Sequence, residues 1–187
     1  MTTISDHIAA ALDTGTNTLD EHLSKLLLAE HNIPVSPERA AYSEEDAVAA
    51  AQELGYPVVL KACGPQLAHK SEQGLVHLHL ADEEAVRSAY RAAINKAGPN
   101  MQSALVQTML SGRREFMAGM FRDPQFGPVI MFGLGGVYTE ALADTAFRVA
   151  PVSCLDARQM IREIQACKLL DSLRGDLAVQ EDVLTGI

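Results

Sequence analysis

The sequence predicts an α+β protein built as two lobes, and three observations lead to this prediction. The 187 residues are 48% hydrophobic, which is enough apolar material for one or two ordinary cores. The first half of the chain alternates helix and strand patterns, whereas the second half is richer in strand patterns. We therefore expect a lead over residues 1–17, flexible or forming a short helix, a first lobe over 18–101 and a second lobe over 102–187. The cleft between the lobes is the expected ligand site.

Capping residues and helical periodicity predict three helices in the first lobe. Thr18–Glu21 has the pattern of a capping box and opens the first helix, which ends before Pro34. Ser43 and Asp82 are the expected N-caps of the next two helices, and Gly55 is the expected end of the second.

Two strands are predicted between the second and third helices. Residues 58–62 are apolar except for Lys61 and indicate a short buried strand with this lysine near its end. Residues 75–80 alternate and predict a half-buried strand, whose inward side chains are Val76, Leu78 and Leu80. Residues 63–73 between them have no periodicity and are expected to form a loop.

The second lobe is predicted to contain four strands, over residues 105–110, 114–121, 128–132 and 145–149. Ser111-Gly112 is expected to join the first two as a hairpin turn, and residues 123–128 are expected to form a longer turn before the third. Ser153 is expected to cap a helix, and Asp176 to open the last one. Surface salt bridges are the default interpretation of three nearby charged residues, Glu140, Asp144 and Arg148.

Composition excludes several classes of function. The chain carries 15 basic and 24 acidic residues, a formal charge of -9, which argues against nucleic acid or an anionic membrane as a general partner. There is no run of 18 apolar residues that would span a membrane, and the first residues lack the pattern of a secretory signal. Three cysteines without a C-x-x-C motif favour the reducing cytoplasm.

Several cationic or nucleophilic side chains could serve an anionic ligand. Lys61 at a strand end either extends its ammonium to solvent or directs it at phosphate oxygens in a cleft. His69 and Lys70 lie in the glycine-containing loop, where Lys70 could pair with a phosphate oxygen and His69 could accept a proton or a phosphoryl group. A solvated loop pair explains the same two residues. His77 and His79 have a spacing that permits metal binding, but a polar sheet face is favoured because no third ligand is evident.

The second lobe offers groups that could hold a nucleoside. Backbone groups around Gln107 and Met109 could meet the edge of an adenine, although strand packing alone explains both residues. Glu115 is a carboxylate on an apolar strand and needs a partner, either ribose hydroxyls or the neighbouring Arg113 or Arg114. The glycines of Gly133–Gly136 permit close backbone approach to phosphate, or they only form a turn.

Taken together and in order, these pieces resemble the ATP-grasp domain of NDP-forming acyl-CoA synthetases. That family includes ADP-forming acetyl-CoA synthetase and is related to the succinyl-CoA synthetase β chain. The resemblance covers residues 19–187, and its most specific motifs are RDPQFGP at 122–128 and GLGG at 133–136. The other matching motifs are VVLK at 58–61, HKSEQG at 69–74, LVQTML at 105–110, REFMAG at 114–119, FRVAP at 147–151 and LRG at 173–175.

The resemblance implies an ATP-grasp fold, an α+β arrangement of two lobes with a nucleotide in the cleft between them. It implies a reaction that converts acyl-CoA, ADP and phosphate into the free acid, ATP and CoA through a phosphohistidine. ATP or ADP with Mg²⁺ are the implied cofactors. The implied partner is the CoA-binding domain or subunit of the same synthetase, and a homo-oligomer is left open.

The resemblance also implies roles for individual residues. His69 would carry the phosphoryl group, and Lys61 and Lys70 would contact the nucleotide phosphates. The adenine hinge would be formed by Gln107, Met109 and Leu110. Glu115 would hold the ribose or orient the site. Three glycines would contact the nucleotide or face the phosphate-transfer region: Gly74, Gly135 and Gly136.

Two departures from the family pattern bear on function. Leu75 stands where the family often has a second glycine after Gly74, which is expected to stiffen the loop. The family's domain continues to an acidic strand with an Asp-Ile-Asn-Pro type of motif that carries the magnesium ligands, whereas this sequence stops at Ile187. We therefore expect a truncated domain whose metal ligands lie beyond Ile187 and which has little synthetase activity alone.

Two other functions stay open at this point. The chain could be a non-catalytic ATP-grasp-like module that regulates a larger protein, such as a protein acetyltransferase, with the histidine unused. The presence of His69 favours catalysis over this alternative. An ATP-grasp carboxylate–amine ligase is disfavoured by the RDPQFGP and GLGG motifs.

Overall fold

The computed structural model describes residues 4–13, 15, 19–64, 67, 73–112, 114–136 and 139–187. The chain divides into two compact units, Met1–Leu110 and Ser111–Ile187, which we describe separately. Within the described ranges, no helix combines the length and the apolar character that crossing a membrane would require.

The first unit contains four helices and one four-stranded sheet. The helices are α1 (Ile4–Asp13), α2 (Glu21–Glu30), α3 (Glu44–Leu54) and α4 (Glu83–Ala97). The strands are β1 (Glu38–Ala41), β2 (Val58–Cys63), β3 (Val76–Leu80) and β4 (Ser103–Thr108). Their order is β1-β4-β2-β3, and each neighbouring pair is antiparallel. The lead predicted as flexible or as a short helix therefore contains a helix, α1.

The core of the first unit lies between the sheet and helices α3 and α4. Small residues of α3 let this helix approach the sheet closely, and α4 adds a stripe of apolar residues at helical spacing. The buried members of these helices are Ala47, Val48, Ala50, Ala51, Val86, Ala89, Tyr90, Ala93 and Ala97.

The predicted caps of α3 and α4 are confirmed. Ser43 Oγ accepts the Asp46 N–H at 3.0 Å, and Asp82 Oδ1 accepts the Ala85 N–H at 2.9 Å. Gly55 ends α3 with φ +82°, a conformation that glycine adopts without steric cost.

The start of α2 differs from the prediction. Its N-cap is Asp20, whose Oδ1 accepts the Leu23 N–H at 2.8 Å, so that the helix begins at Glu21. The predicted box begins at Thr18, which lies outside the described residues. Glu21 is the first helical residue, and its carboxylate contacts side chains of the sheet.

The predicted hairpin between residues 105–110 and 114–121 is wrong. Strand β4 lies between β1 and β2, whereas residues 116–123 pair with a later strand in a separate sheet. The division of the chain after Leu110 also differs from the predicted boundary at residue 101, which would have removed β4 from its own sheet.

The alternation predicted for residues 75–80 holds only at its ends. Val58 pairs with Leu80 and Leu60 pairs with His77, so that β3 contains one residue more than β2 between these two pairs. His79 adopts φ +57° at this irregularity. Leu80 is buried, but Leu78, which was predicted to point inward, is 53% exposed.

The second unit contains a three-stranded antiparallel sheet and short helices. The strands are β5 (Phe116–Asp123), β6 (Gly127–Leu134) and β7 (Thr145–Val149), in that order. The helices are α5 (Thr139–Leu142), α6 (Cys154–Glu163) and α7 (Glu181–Leu184), with a 3-10 helix at Gln165–Leu170. The predicted turn 123–128 is the hairpin connection between β5 and β6, where Asp123 Oδ1 accepts two backbone N–H groups.

One face of this sheet forms the second core with α6 and the 3-10 helix. Phe116 and Phe132 stack on neighbouring strands with ring centroids 5.7 Å apart. Ser153 caps α6 through a complete capping box with Asp156, as predicted. The last helix begins at Glu181 and not at Asp176, which instead forms an isolated bridge with Leu173.

Asp144 is buried, contrary to the surface salt bridge taken as its default interpretation. Only 7% of the residue is exposed. Its two carboxylate oxygens accept the N–H groups of Gln165 and Ala166, each at 2.7 Å. The carboxylate therefore caps the 3-10 helix. Arg148 does form an ion pair, with Glu163 of α6.

Candidate functional site

Two groups of side chains bring together residues that the sequence singled out, one in each unit. The first, which we call the Lys61 cluster, is formed by α2 and strands β1, β2 and β4. Its members are Glu21, His22, Lys25, Glu38, Lys61 and Gln107.

Glu21 holds both sequence-predicted members of this cluster. One carboxylate oxygen, Oε1, accepts the Lys61 ammonium at 2.6 Å and the Gln107 amide nitrogen at 3.0 Å. The same oxygen lies 3.5 Å from the Lys25 ammonium, one helical turn further along α2. Lys61 is partly exposed, so that its ammonium can meet a ligand as well as Glu21.

Glu38 is the second carboxylate of the cluster and is more buried. Its Oε2 accepts Lys25 at 2.7 Å and the Gln107 amide at 2.8 Å, while Oε1 lies 2.9 Å from His22 Nδ1. Both hydrogen-bond donors of the Gln107 amide are thus directed at carboxylates, and this fixes the orientation of the amide.

The pKa of Glu21 shows how strongly its charged form is held. Burial raises the pKa of this carboxyl group. The hydrogen bonds from Lys61 and Gln107 and the charges of Lys61 and Lys25 lower the pKa by more than burial raises it, to about 2. Glu21 is therefore an anion throughout the neutral range, and it neutralises Lys61 when no ligand is present.

The backbone of Gln107 is occupied by the sheet. Gln107 lies opposite Glu38 of β1 and Val59 of β2, on the central strand, and only 5% of the residue is exposed. Met109 follows the strand and donates its N–H to the Pro57 carbonyl at 3.2 Å. Leu110 is 65% exposed. The part of the predicted adenine hinge that remains accessible is therefore Met109–Leu110, just beyond the strand.

The second group, which we call the Glu115 corner, lies in the second unit and consists of Glu115, Gly135 and Gly136. The Gly135 N–H donates to the Glu115 carbonyl at 2.8 Å, and Gly135 is buried. A Cβ on Gly135 would lie 3.0 Å from the carbonyl carbon of Glu115. At Gly136 a Cβ would lie 3.0 Å from Glu115 Oε2, and its φ of +73° is one that glycine favours. A Cβ at either glycine would therefore lie in tight contact with Glu115, and at Gly136 the positive φ adds backbone strain.

Arg114 anchors the residue before this corner. Its guanidinium donates to the carbonyl oxygens of Leu169 at 2.9 Å, Asp171 at 3.0 Å and Leu177 at 2.5 Å. An open groove of about 680 Å³ lies alongside, lined by residues 111–112, 114 and 175–179. Because the guanidinium donates to three carbonyl oxygens, Arg114 supports the loop. It is therefore not the partner of the Glu115 carboxylate.

Two of the predicted site residues, His69 and Lys70, lie outside the described residues. Gly74 is described and adopts φ +60°, and a Cβ there would lie 2.6 Å from the Lys96 ammonium. Among the residues that the structure describes, no group of three histidine, cysteine or carboxylate side chains is arranged to hold a metal ion.

Sequence reasoning missed Glu21 and Glu38. Glu21 and Lys25 are four residues apart on one helix, a spacing that signals a pair on one face. No local signal links this face to Lys61 or Gln107, which are 40 and 86 residues away from Glu21. For Glu38, the strand β1 itself was not predicted.

Comparison with protein families gives one match over almost the whole chain. A family model described as an ATP-grasp domain matches residues 10–187. The match includes both the Lys61 cluster and the Glu115 corner.

Among characterised relatives, the β subunit of an ADP-forming acetate–CoA ligase I from Pyrococcus furiosus is 41% identical over 174 residues. The alignment covers 90% of this chain and 75% of that subunit. The ADP-forming acetate–CoA ligase I of Archaeoglobus fulgidus is 38% identical over 165 residues, which are 86% of this chain and only 24% of that protein. The chain thus spans most of a separate β subunit but about a quarter of this longer relative.

Solved structures of similar proteins superimpose on this chain over almost its whole length. Acetyl-coenzyme A synthetase 1 of Candidatus Korarchaeum cryptofilum, in complex with coenzyme A and Ca-AMPCP, superimposes with a TM-score of 0.91 at 43% identity, covering 98% of this chain and 84% of that one. A structure of the same protein with coenzyme A and Mg-AMPPCP gives a TM-score of 0.84 at 42% identity, covering 98% and 83%. In that structure a phosphohistidine segment points towards the nucleotide-binding site.

Proposed function

This chain belongs to the ATP-grasp domain family, and from that membership we propose that it is the nucleotide-binding part of an ADP-forming acyl-CoA synthetase, an acid–thiol ligase. The predicted family and the α+β ATP-grasp fold class are confirmed. The whole enzyme would interconvert acyl-CoA, ADP and phosphate with the free acid, ATP and CoA.

The observation that carries the proposal is the Glu115 corner. Two motifs that are 20 residues apart in the sequence meet there, and a Cβ on either glycine would lie in tight contact with Glu115. A carboxylate beside a glycine backbone fits a ligand with hydroxyl donors and an anionic group, because the carboxylate accepts from the hydroxyls and the small, exposed Gly136 leaves room for the anion. A ribose with its phosphates has both.

The residues of the first unit would bind the remaining parts of the nucleotide. Lys61 supplies a positive charge for phosphate oxygens, and Lys70 would add a second from its loop. The accessible stretch at Met109–Leu110 would receive the adenine. Mg²⁺ would arrive with the nucleotide and offset the phosphate charge; the described residues assign no protein ligand to it.

His69 would be the catalytic residue. A neutral imidazole nitrogen would attack the γ-phosphorus of ATP, the bond from phosphorus to the bridging oxygen would break, and ADP would leave with the electron pair. The imidazole N–H proton would pass to solvent. In the opposite direction the phosphohistidine would return the phosphoryl group to ADP.

The partner and the location follow from the same assignment. We propose that the chain works with a CoA-binding domain or subunit, because relatives occur both as a separate β subunit and as longer single chains. The three cysteines form no disulfide, which fits a reducing cytoplasm.

Nucleotide binding tests the site. We expect Mg-ATP to bind this chain, and Lys61→Met to weaken binding by about 1–3 kcal/mol, the usual contribution of a charge-assisted hydrogen bond. Lys168→Met removes an exposed lysine from the second unit and is the matched control. Isothermal titration calorimetry measures both, and an affinity unchanged by Lys61→Met would contradict the assignment.

Phosphoryl transfer tests the chemistry. Incubation with γ-labelled ATP is expected to leave an acid-labile, base-stable label that disappears in His69→Ala. His31→Ala, which removes an exposed histidine at the end of α2, should keep the label. If the intact protein binds ATP but takes up no label, it is a non-catalytic nucleotide-binding module instead.

A further inference from the structure

Helix α2 is held to the sheet mainly by polar contacts. None of its residues is buried, and none belongs to the apolar core of the first unit. Its contacts with the sheet come from Glu21, His22 and Lys25, which lie on one face at positions i, i+1 and i+4. A helix attached in this way contributes little apolar packing, and its charged face has a different role.

That face fixes the groups around Lys61. The only ion-pair partner of Lys61 found among the described residues is Glu21, and the oxygen that accepts Lys61 also accepts Gln107. Lys61 is thus restrained by a neighbour that is 40 residues earlier in the chain and is itself restrained by Gln107 and by the start of a helix.

We propose that Glu21 is a positioning residue, whose carboxylate orders the Lys61 ammonium for nucleotide phosphate before the nucleotide binds. An ammonium has three N–H donors, so that one can remain on Glu21 while the others turn to the ligand. A lysine side chain loses much rotational freedom when it is immobilised, and here that loss occurs during folding rather than binding. The inference rests on the proposed function, because it concerns the same lysine.

The carboxylate has a second, opposing effect. Its negative charge repels phosphate, so that removing it strengthens binding by Coulomb attraction while the loss of ordering weakens binding. Salt separates the two effects: the Debye length falls from about 10 Å at 0.1 M to about 3 Å at 1 M, which suppresses the repulsion but not the ordering.

The test measures Mg-ATP affinity of this chain at about 0.1 M and about 1 M potassium chloride. Glu21→Gln keeps the shape of the side chain and removes its charge. Glu44→Gln is the matched control, because Glu44 is likewise the first residue of a helix and forms ion pairs with two cations, Arg87 and Arg91, but does not touch the Lys61 cluster. At 1 M salt we expect Glu21→Gln to weaken binding by about twofold to tenfold, the effect of ordering one long side chain, and Glu44→Gln to change nothing.

A double-mutant cycle shows whether Glu21 acts through Lys61. In the Lys61→Met background, Glu21→Gln is expected to have no further effect on affinity. Additive losses, or wild-type affinity of Glu21→Gln at 1 M salt, would overturn the inference. Should Glu21→Gln fail to fold, Glu21→Asp, which draws the carboxylate back by one methylene, must weaken binding in the same cycle.

A readout without nucleotide keeps the two proposals apart. In the ligand-free protein, Glu21→Gln should shift the NMR signals of the Gln107 side-chain amide, since the amide loses one of its two carboxylate partners, and Glu44→Gln should not. Failure of the wild-type chain to bind Mg-ATP would refute the proposed function and the inference together. Binding that depends on Lys61 but not on Glu21 would refute the inference alone.

Discussion

Asp144 is expected to contribute more to stability than any surface ion pair of the second unit. Its two oxygens accept the N–H groups of Gln165 and Ala166 at 2.7 Å, and the residue is only 7% exposed. Asp144→Ala removes the partner of both donors at a part-buried position, at a cost of about 1–3 kcal/mol for a buried group. Allowing for partial solvation of the second donor, we expect a total loss of about 2–4 kcal/mol in the free energy of unfolding.

The hairpin between β5 and β6 offers a matched control. Asp123 Oδ1 also accepts two successive backbone N–H groups, those of Gln125 at 2.8 Å and Phe126 at 2.9 Å. These two hydrogen bonds are exposed, whereas those of Asp144 are part-buried, so that water replaces the lost bonds more readily at Asp123. Asp123→Ala is therefore expected to cost about 0.5–1 kcal/mol, the lower range for a cap.

Two measurements test the comparison. Urea unfolding followed by circular dichroism should shift its midpoint downward by about 1 M or more for Asp144→Ala and by much less for Asp123→Ala, given usual denaturant slopes. Hydrogen exchange at the amides of residues 165 and 166 reports the local loss directly. Equal costs for the two variants, or less than about 1 kcal/mol for Asp144→Ala, would refute the argument that burial sets the cost.

Two further predictions concern the site. Glu21 has a folded-state pKa of about 2 against an ordinary value of 4.5, so that its pairing stabilises the fold fully above pH 4.5 and is lost as the pH falls towards 2. In acid titrations, the difference in the free energy of unfolding between wild type and Glu21→Gln should therefore narrow over that range. A constant difference would contradict the pairing. Gly136→Ala and Gly127→Ala should each lose about 1 kcal/mol, because both residues have positive φ. Only Gly136→Ala should also weaken Mg-ATP binding. A Cβ at Gly136 would contact Glu115, whereas no atom lies within 4 Å of a Cβ at Gly127. Equal nucleotide affinities of the two variants in calorimetry would argue against the Glu115 corner.

Local signals predicted the elements whose causes are local. The caps at Ser43, Asp82 and Ser153 were predicted because each side chain bonds to a backbone group three residues away. Strand β2 was predicted from its run of apolar residues, and the turn before β6 from its two prolines and its glycine. In each case the residues that determine the structure lie within one turn of the chain.

The errors involve pairing partners that are distant in sequence. Strand β4 looked like the first arm of a hairpin because a glycine follows it, yet its partners are β1 and β2, both earlier in the chain. Leu78 was placed inward by strict alternation, which the extra residue in β3 shifts. Asp144 could not be recognised as a cap, because the N–H groups that it accepts follow 21 and 22 residues later.

The same distinction applies to the site. Lys61, Glu115, Gly135 and Gly136 were identified from motifs, and within the second unit the structure brings the last three together. The carboxylates that surround Lys61 carry no motif of that kind. Their role depends on the fold, which brings the start of α2 to the end of β2.

The electrostatics of the Lys61 cluster limit how this protein can hold an anion. Two lysines and two glutamates cancel within the cluster, and the chain as a whole carries a formal charge of -9. The net negative charge of the chain therefore repels a nucleotide at long range and does not draw it to the first unit. Affinity has to come from short-range hydrogen bonds made by groups that are already oriented, together with a divalent cation that offsets the phosphate charge. Under the proposed function, a Lys61 ammonium that Glu21 has already ordered offers the phosphate an oriented hydrogen-bond donor, and this is the role that we propose for the carboxylate beside the lysine.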